Sequence, residues 1–559
     1  MWNVCTANLH TVGPYKVAHA RANASVLTEQ DFVVSELVRV NVVVRKSVSQ
    51  MQSRNTTAVV LQNDVRSLKR KRTGRIGCTG TSKKVRIHLP SSVSVSSFTR
   101  DTAQVVDHDL LDRLEHLETE SFDFGMLRFL VHAFVAACRL GAEDDAQKRS
   151  KFKIESTEAY NRLLNLALRQ IPKSFKYLLS DASTVRIRSR SSHLGVSPEV
   201  SLKEYSRSRN WSKIRPLIKL YVLSLIHMVM ASKNSHSKKV TISSFNGVIP
   251  FLYSCDKLAE KVLRCLVNTW VLANDENVQL MSFLRIRQIC LLFDYPFTEI
   301  VMKRMYLGYI RSSKFVNEAI KPRISMMQNC VVEVYRLDLK SAYQCAFAYI
   351  RSLAVHLRNS VKERSSASIN RICNFQFLNS LRIWTDVLVM HSEPHALRPL
   401  FFPLVQLIIG AIRLVSGYNF CPFRIHCLQL LVKLEESTRG SLYVPLSDFV
   451  VRDIQSLVLI KGKGVLGMKI PHFSTMLRSK SSISESTTYV DLILSRIIKI
   501  TESHFKVHNS SSYYDDLVGG VTDALRAVAK KTKNCRWRQV LSSLIARLSA
   551  PRTNNPVEV

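Results

Sequence analysis

Glycine and proline are scarce in this sequence, 17 and 16 of 559 residues. Sheet-rich folds of such length spend both on turns, so the scarcity excludes most β-architectures and predicts a mostly helical chain. Acidic residues are few as well: 43 Asp and Glu stand against 80 Lys and Arg, a formal charge of +37. That imbalance speaks about neighbours rather than fold, favouring nucleic acid or an acidic protein. Long apolar runs are missing. "LFFPLVQLIIGAI" (Leu400 to Ile412) is among the longest and stops short of the ~20 residues of a spanning helix, so no membrane partner is expected. "MWNVCTANLHTV" has neither a basic start nor an apolar centre, and no secretory signal is expected. The 12 cysteines never form C-x-x-C. Cys138, Cys265, Cys290 and Cys345 each fall inside an apolar helical pattern, which suits buried thiols in a reducing compartment better than disulfides or zinc.

What is present is an ordinary globular balance, 46% apolar and 22% charged, enough to bury a sizeable core. Residues 1–105 are rich in Ser, Thr and Val without a helical period, and read as a mostly disordered arm. This arm carries two basic clusters, Lys69, Arg70, Lys71, Arg72 and Lys83, Lys84, Arg86, of the type that serves nuclear import or nucleic-acid binding. Helical periodicity takes over from Asp107. "GMLRFLVHAFVAACRLG" predicts one helix, and "KFKIESTEAYNRLLNLALRQIP" a second, N-capped by Ser156 and closed near Pro172.

A Ser/Arg-rich loop is predicted at 183–213. Further helices are predicted from Ile214, Cys255, Leu280, Glu299, Ile324, Ala342, Asn374, Leu400 and Phe423. Successive helices on short connections predict an all-α fold, a degenerate HEAT/armadillo-like α-solenoid behind a disordered basic N-terminal arm. The solenoid is expected over 106–450, an irregular linker over 451–488, C-terminal helices over 489–550 and a polar tail over 551–559.

Catalytic patterns fail on context. "GKGVLG" (Gly462 to Gly467) matches G-x-G-x-x-G, but Pro471 follows where a phosphate-binding helix would have to start. Cys421, His426 and Cys427 cluster in "CPFRIHC" without the second ligand pair that a tetrahedral metal needs. No catalytic residue, cofactor or metal ligand is expected, and no enzyme. In the Ser/Arg-rich segment, Arg186, Arg188, Arg190, Arg207, Arg209, Trp211 and Lys213 mix cations with an aromatic ring. Such a mixture suits RNA phosphates and bases, and equally a solvated loop.

One helix is unusual. "YIRSLAVHLRNS" (Tyr349 to Ser360) is free of acid, with Phe347, Ile350, Ala354 and Leu357 at helical spacing. Arg351 and Arg358 lie two turns apart and share a stripe. With His356 and Asn359, they are expected to hydrogen-bond and ion-pair to adjacent helices, Asp338 and Glu333 being the candidate acids. The competing reading sets them on RNA phosphate or an acidic partner.

This helix and the segments after it, "NFQFLNSLRIWTDVL", "LRPLFFPLVQLIIGAIRL" and "CPFRIHCLQLL", resemble the nucleolar complex protein two family of ribosome-assembly factors. The match rests on Tyr349, Arg351, His356, Arg358 and Asn359, then Gln376, Trp384, Pro403, Gln406, Arg424 and His426, and covers residues 107 to 550. The sequence departs from the family pattern at Ser352 and at "YYDDLVGG". The resemblance implies a non-enzymatic factor of the nucleus, in nucleolus and nucleoplasm, acting in maturation and transport of large-subunit precursors. It implies heterodimers with sister nucleolar complex proteins, the first and the third, and contact with pre-ribosomal particles, with direct pre-rRNA contact left open. The alternative is an armadillo-type nuclear-transport adaptor; a nucleotide-dependent enzyme at Gly462 to Gly467 is a third reading.

Overall fold

The computed structural model describes residues 123–139, 156–179, 205–390, 395–458 and 471–550, with shorter pieces at 104–106, 108, 111–112, 114 and 152–154. Both basic clusters of the arm, Arg186, Arg188, Arg190 and Gly462 to Gly467 lie outside the described residues.

Among the described residues the fold is all-α but for one small sheet. Strand β1 (Gln104–Val106) runs parallel to β2 (Phe152–Ile154), with Val105 opposite Lys153. Residues 104 and 105, assigned to the disordered arm by composition, therefore belong to this sheet; three residues are too few for a sequence period to register.

The helices are α1 (Phe124–Arg139), α2 (Thr157–Leu179), α3 (Trp211–Ala231), α4 (Ser235–Ser244), α5 (Ile249–Leu252), α6 (Asp256–Leu272), α7 (Glu276–Leu292), α8 (Phe297–Ser312) and α9 (Lys321–Leu337). They continue with α10 (Leu339–Glu363), α11 (Ser366–Ile372), α12 (Phe375–Met390), α13 (Phe401–Leu414), α14 (Cys421–Ser437) and α15 (Ser447–Val458). Last come α16 (Ser481–Ser484), α17 (Thr487–His508), α18 (Tyr514–Lys531) and α19 (Cys535–Leu548).

Local chemistry fixes several starts. Asp275, Asp338, Ser365 and Asn534 stand at N-caps, and each side chain accepts a hydrogen bond from a backbone N–H of the first turn.

Three boundaries differ from the sequence reading. Helix α2 runs through Pro172 to Leu179 because Pro172 is buried against Gly247, where an added Cβ would come within 2.7 Å of its ring; packing outweighs the missing hydrogen bond. Trp211 and Lys213 are not loop but the start of α3. Residues 451–458, read as irregular linker, complete α15, whose Val450, Ile454, Leu457 and Val458 are buried.

Most consecutive helices touch, and so do the successive members of two rows. One row runs α3, α6, α8, α10, α13; the other runs α4, α7, α9, α12, α14, α17. The core is the apolar seam between the rows. Helix α3 and the stretch Ala396–Leu414 containing α13 are long and apolar enough to cross a membrane by length and composition. Each nonetheless packs into the seam: Tyr221, Val222 and Leu225 of α3, and Leu404, Ile408 and Ile412 of α13, are fully buried.

Candidate interaction surface

Helix α10 buries Ser341, Ala342, Cys345, Ala346, Ile350, Leu353 and Leu357, a run at three- and four-residue steps. Phe347 and Ala354, placed on the buried face by the sequence pattern, point outward instead, and Phe347 is 48% exposed. The small Ala342 and Ala346 set the true face, rotated by part of a turn. The outward face carries Phe347, Arg351, Val355, Arg358 and Lys362, one turn apart each.

Arg351 and Arg358 have no ion-pair or hydrogen-bond partner among the described residues. The expected acids are out of reach or engaged. Asp338 is the cap of α10 itself, thirteen residues and about 20 Å of helix axis from Arg351, and accepts from the backbone N–H of Lys340 and Ser341. Glu333 faces Arg287 at 3.4 Å and Arg336 at 4.0 Å. His356 and Asn359 are exposed too. The stripe therefore fixes no neighbouring helix; it is open to solvent.

Helix α13 lies against α10, with Gly410 allowing the approach: a Cβ there would sit 2.8 Å from Leu357 Cδ2. It contributes an exposed Phe402, Pro403 and Gln406. Acids on the surrounding helices are largely neutralised. Glu260 takes Arg264 and Arg304, Glu299 takes Lys303, and Asp386 takes Lys433. Exposed pairs of this kind add little stability, but they leave the α10 cations unopposed.

Of the remaining motif residues, Trp384, Arg424 and His426 are buried and Tyr349 and Gln376 half-buried, and they hold the rows together. Trp384 of α12 packs among Tyr306 of α8, Tyr335 of α9 and Tyr349 of α10, at centroid distances of 5.0, 5.3 and 5.9 Å. The Gln376 amide donates to the Ile310 carbonyl across 3.1 Å. Arg424 of α14 pairs with Asp453 of α15 at 2.9 Å, both almost wholly buried, and donates to the carbonyls of Val415 and Gly417.

His426 accepts from Arg382 through Nδ1 at 3.2 Å. Burial, then the Arg382 charge, pushes its pKa down to about 3. Its unfolded pKa is ordinary, so the unfolded chain takes up a proton first as pH falls below about 6.5. Stability is complete above that pH and falls progressively toward pH 3. By pH 5 the loss from this group approaches about 2 kcal/mol. The His426→Gln chain should show a correspondingly shallower fall of urea midpoint between pH 7 and pH 5, followed by circular dichroism.

The cysteines of "CPFRIHC" are buried free thiols, and burial raises the pKa of both Cys421 and Cys427. Of the RNA-contact candidates within the described residues, Arg207, Arg209 and Lys213 are exposed and Trp211 is half-buried against the core. A second surface feature was not read from the sequence. A groove lined by Leu280, Phe283, Met326, Cys330 and Met390 opens between α7, α9 and α12, with Leu280 45% and Met390 56% exposed. Its residues come from three segments, so no local pattern reports it.

A family model described as the Noc2p family matches residues 296–554. Nucleolar complex protein 2 of Drosophila melanogaster is 28% identical over 452 residues, 80% of this chain and 56% of that protein. Nucleolar complex-associated protein 2 of Arabidopsis thaliana is 24% identical over 432 residues, 76% of this chain and 54% of that protein. A nucleolar complex protein 2 homolog of Caenorhabditis elegans is 23% identical over 417 residues, 73% and 55%. The matched stretches thus span little more than half the length of these relatives.

Proposed function

We propose that the chain, whose residues 296–554 match the Noc2p family model, is a member of that family and a non-enzymatic assembly factor for the large ribosomal subunit, working in the nucleolus and nucleoplasm. The names of its relatives, nucleolar complex proteins of fly, plant and nematode, support that setting. In this reading the two helix rows are a degenerate α-solenoid, a stiff spine that holds other macromolecules. The groove between α7, α9 and α12 receives a sister nucleolar complex protein, the first or the third. Pre-ribosomal particles meet the cationic stripe of α10, and their maturation and intranuclear movement depend on that hold.

One observation carries the proposal: Arg351 and Arg358, within the family-matched segment, are exposed and unpaired beside Phe347 and Val355 on an acid-free face. Ordering cations without a partner gains nothing for the fold, whereas polyanionic RNA repays it through counterion release. The Arg351→Ala, Arg358→Ala double variant should unfold within about 0.5 kcal/mol of the parent chain, as surface changes do. Its co-sedimentation with large-subunit precursors should be lost at physiological salt. Intact co-sedimentation would defeat the reading, and intact co-sedimentation with loss of an import cargo would favour the armadillo-type adaptor.

A further inference from the structure

Glu435, near the end of α14, is fully buried, and its ion partners among the described residues are two histidines of α17. His504 and His508 stand four apart, so both rings project from one helix face toward the carboxylate. His504 Nδ1 lies 2.8 Å from Glu435 Oε2, and His508 Nε2 lies 3.5 Å from Oε1. One ligand atom from each residue falls within 4.8 Å of the others. A buried carboxylate needs a compensating positive charge, and no lysine or arginine among the described residues pairs with it.

The surroundings are shaped around the cluster. The Val444 N–H donates to Glu435 Oε1 at 2.8 Å, fixing the carboxylate. Tyr513 Oη lies 3.1 Å from His508 Nδ1, placing an outer partner on one ring nitrogen while the other, Nε2, has no hydrogen-bond partner. The covering loop passes close at Gly440, whose φ of +79° disfavours a side chain and where a Cβ would crowd the Val507 carbonyl at 3.2 Å and touch His508 Nδ1 at 3.6 Å.

We propose that Glu435, His504 and His508 form a divalent-metal site that takes Zn2+, with water as the fourth ligand. Two imidazoles and one carboxylate are a zinc donor set, and the hydrogen-bonded outer tyrosine is the support such ligands need. Ligands about 2.1 Å from a tetrahedral ion stand roughly 3.4 Å apart. His508 Nε2 already stands 3.5 Å from Oε1, whereas His504 Nδ1 stands 2.8 Å from the other oxygen, Oε2, so the carboxylate has to turn for one oxygen to serve the ion beside both imidazoles. The ion supplies the charge that the carboxylate lacks and engages the free Nε2 of His508. It ties α14 to α17, two helices of the same row.

The test uses the tag-free full chain. After dialysis it should retain one Zn2+ by elemental analysis, melt higher when Zn2+ is added, and show visible ligand-field bands when loaded with Co2+. His508→Gln should abolish these responses. Tyr513→Phe, which keeps the ring and so the packing, should weaken Zn2+ binding about 10- to 100-fold by calorimetry. A parent chain that neither retains Zn2+ nor melts higher with it would overturn the proposal, leaving the carboxylate to an imidazolium proton. Unchanged binding by His508→Gln would overturn it equally, assigning the ion to surface groups such as the exposed Cys535.

Discussion

The Asp453→Ala chain is expected to lose about 3–5 kcal/mol of stability, the cost of leaving one half of a buried ion pair without the other. Arg424 is 1% exposed, with the carboxylate 2.9 Å away. Burial works against the charged guanidinium, but Asp453 outweighs it, and the pKa ends above its ordinary value. Removing the carboxylate leaves that cation with two carbonyl acceptors, Val415 and Gly417, and no counter-charge. The joint between the end of α13, the start of α14 and α15 should open first. Domains hold only about 5–15 kcal/mol in all, so a large share of the margin goes. Urea unfolding followed by circular dichroism measures it. The double variant Arg424→Met, Asp453→Leu should recover most of the loss, since apolar replacement of a whole buried pair is often neutral. A single-variant loss below about 1 kcal/mol would mean that water reaches the site.

Trp384→Ala should cost a similar amount, about 3–5 kcal/mol. The ring is fully buried and touches tyrosines of three other helices, two in one row and one in its own. Its removal leaves a cavity that α8, α9, α10 and α12 cannot close without shifting against one another. Burial has pushed the Tyr306 phenol up to about 12; water entering the cavity should bring it back toward 10, visible as earlier ionisation in an alkaline absorbance titration. Trp384→Phe, which refills part of the space, should retain more of the stability than the alanine chain. Equal losses for both would show that indole-specific contacts, rather than volume, hold the seam.

Several residues named from sequence became intelligible only with their partners. Tyr349, Trp384, Arg424 and His426 stand out within single helices, but Tyr306, Tyr335, Asp453 and Arg382 do not, because nothing local ties them to the site they complete. The stripe on α10 shows the opposite case. Arg351 and Arg358 were expected to pair inward, and the fold turns them outward, because Ala342 and Ala346 lie on the seam and rotate the helix. Helix α4 was missed altogether: "SHSKKVTISS" has no strong apolar face, and it forms under Asn234, whose side chain caps the His236 N–H.

Read alone, the chain's residues determined that it is helical, where most of the helices run, that the surface is strongly basic, and which family it resembles. These are local or additive properties: periodicity, turn-residue scarcity and charge survive without knowing what meets what. Tertiary structure alone decided which face of each helix is buried, which cations are left unpaired, and that Glu435 would meet His504 and His508 across 69 and 73 residues of chain. Those outcomes depend on how two rows of helices rotate to close one apolar seam, and rotation is set by side-chain volumes on both partners at once.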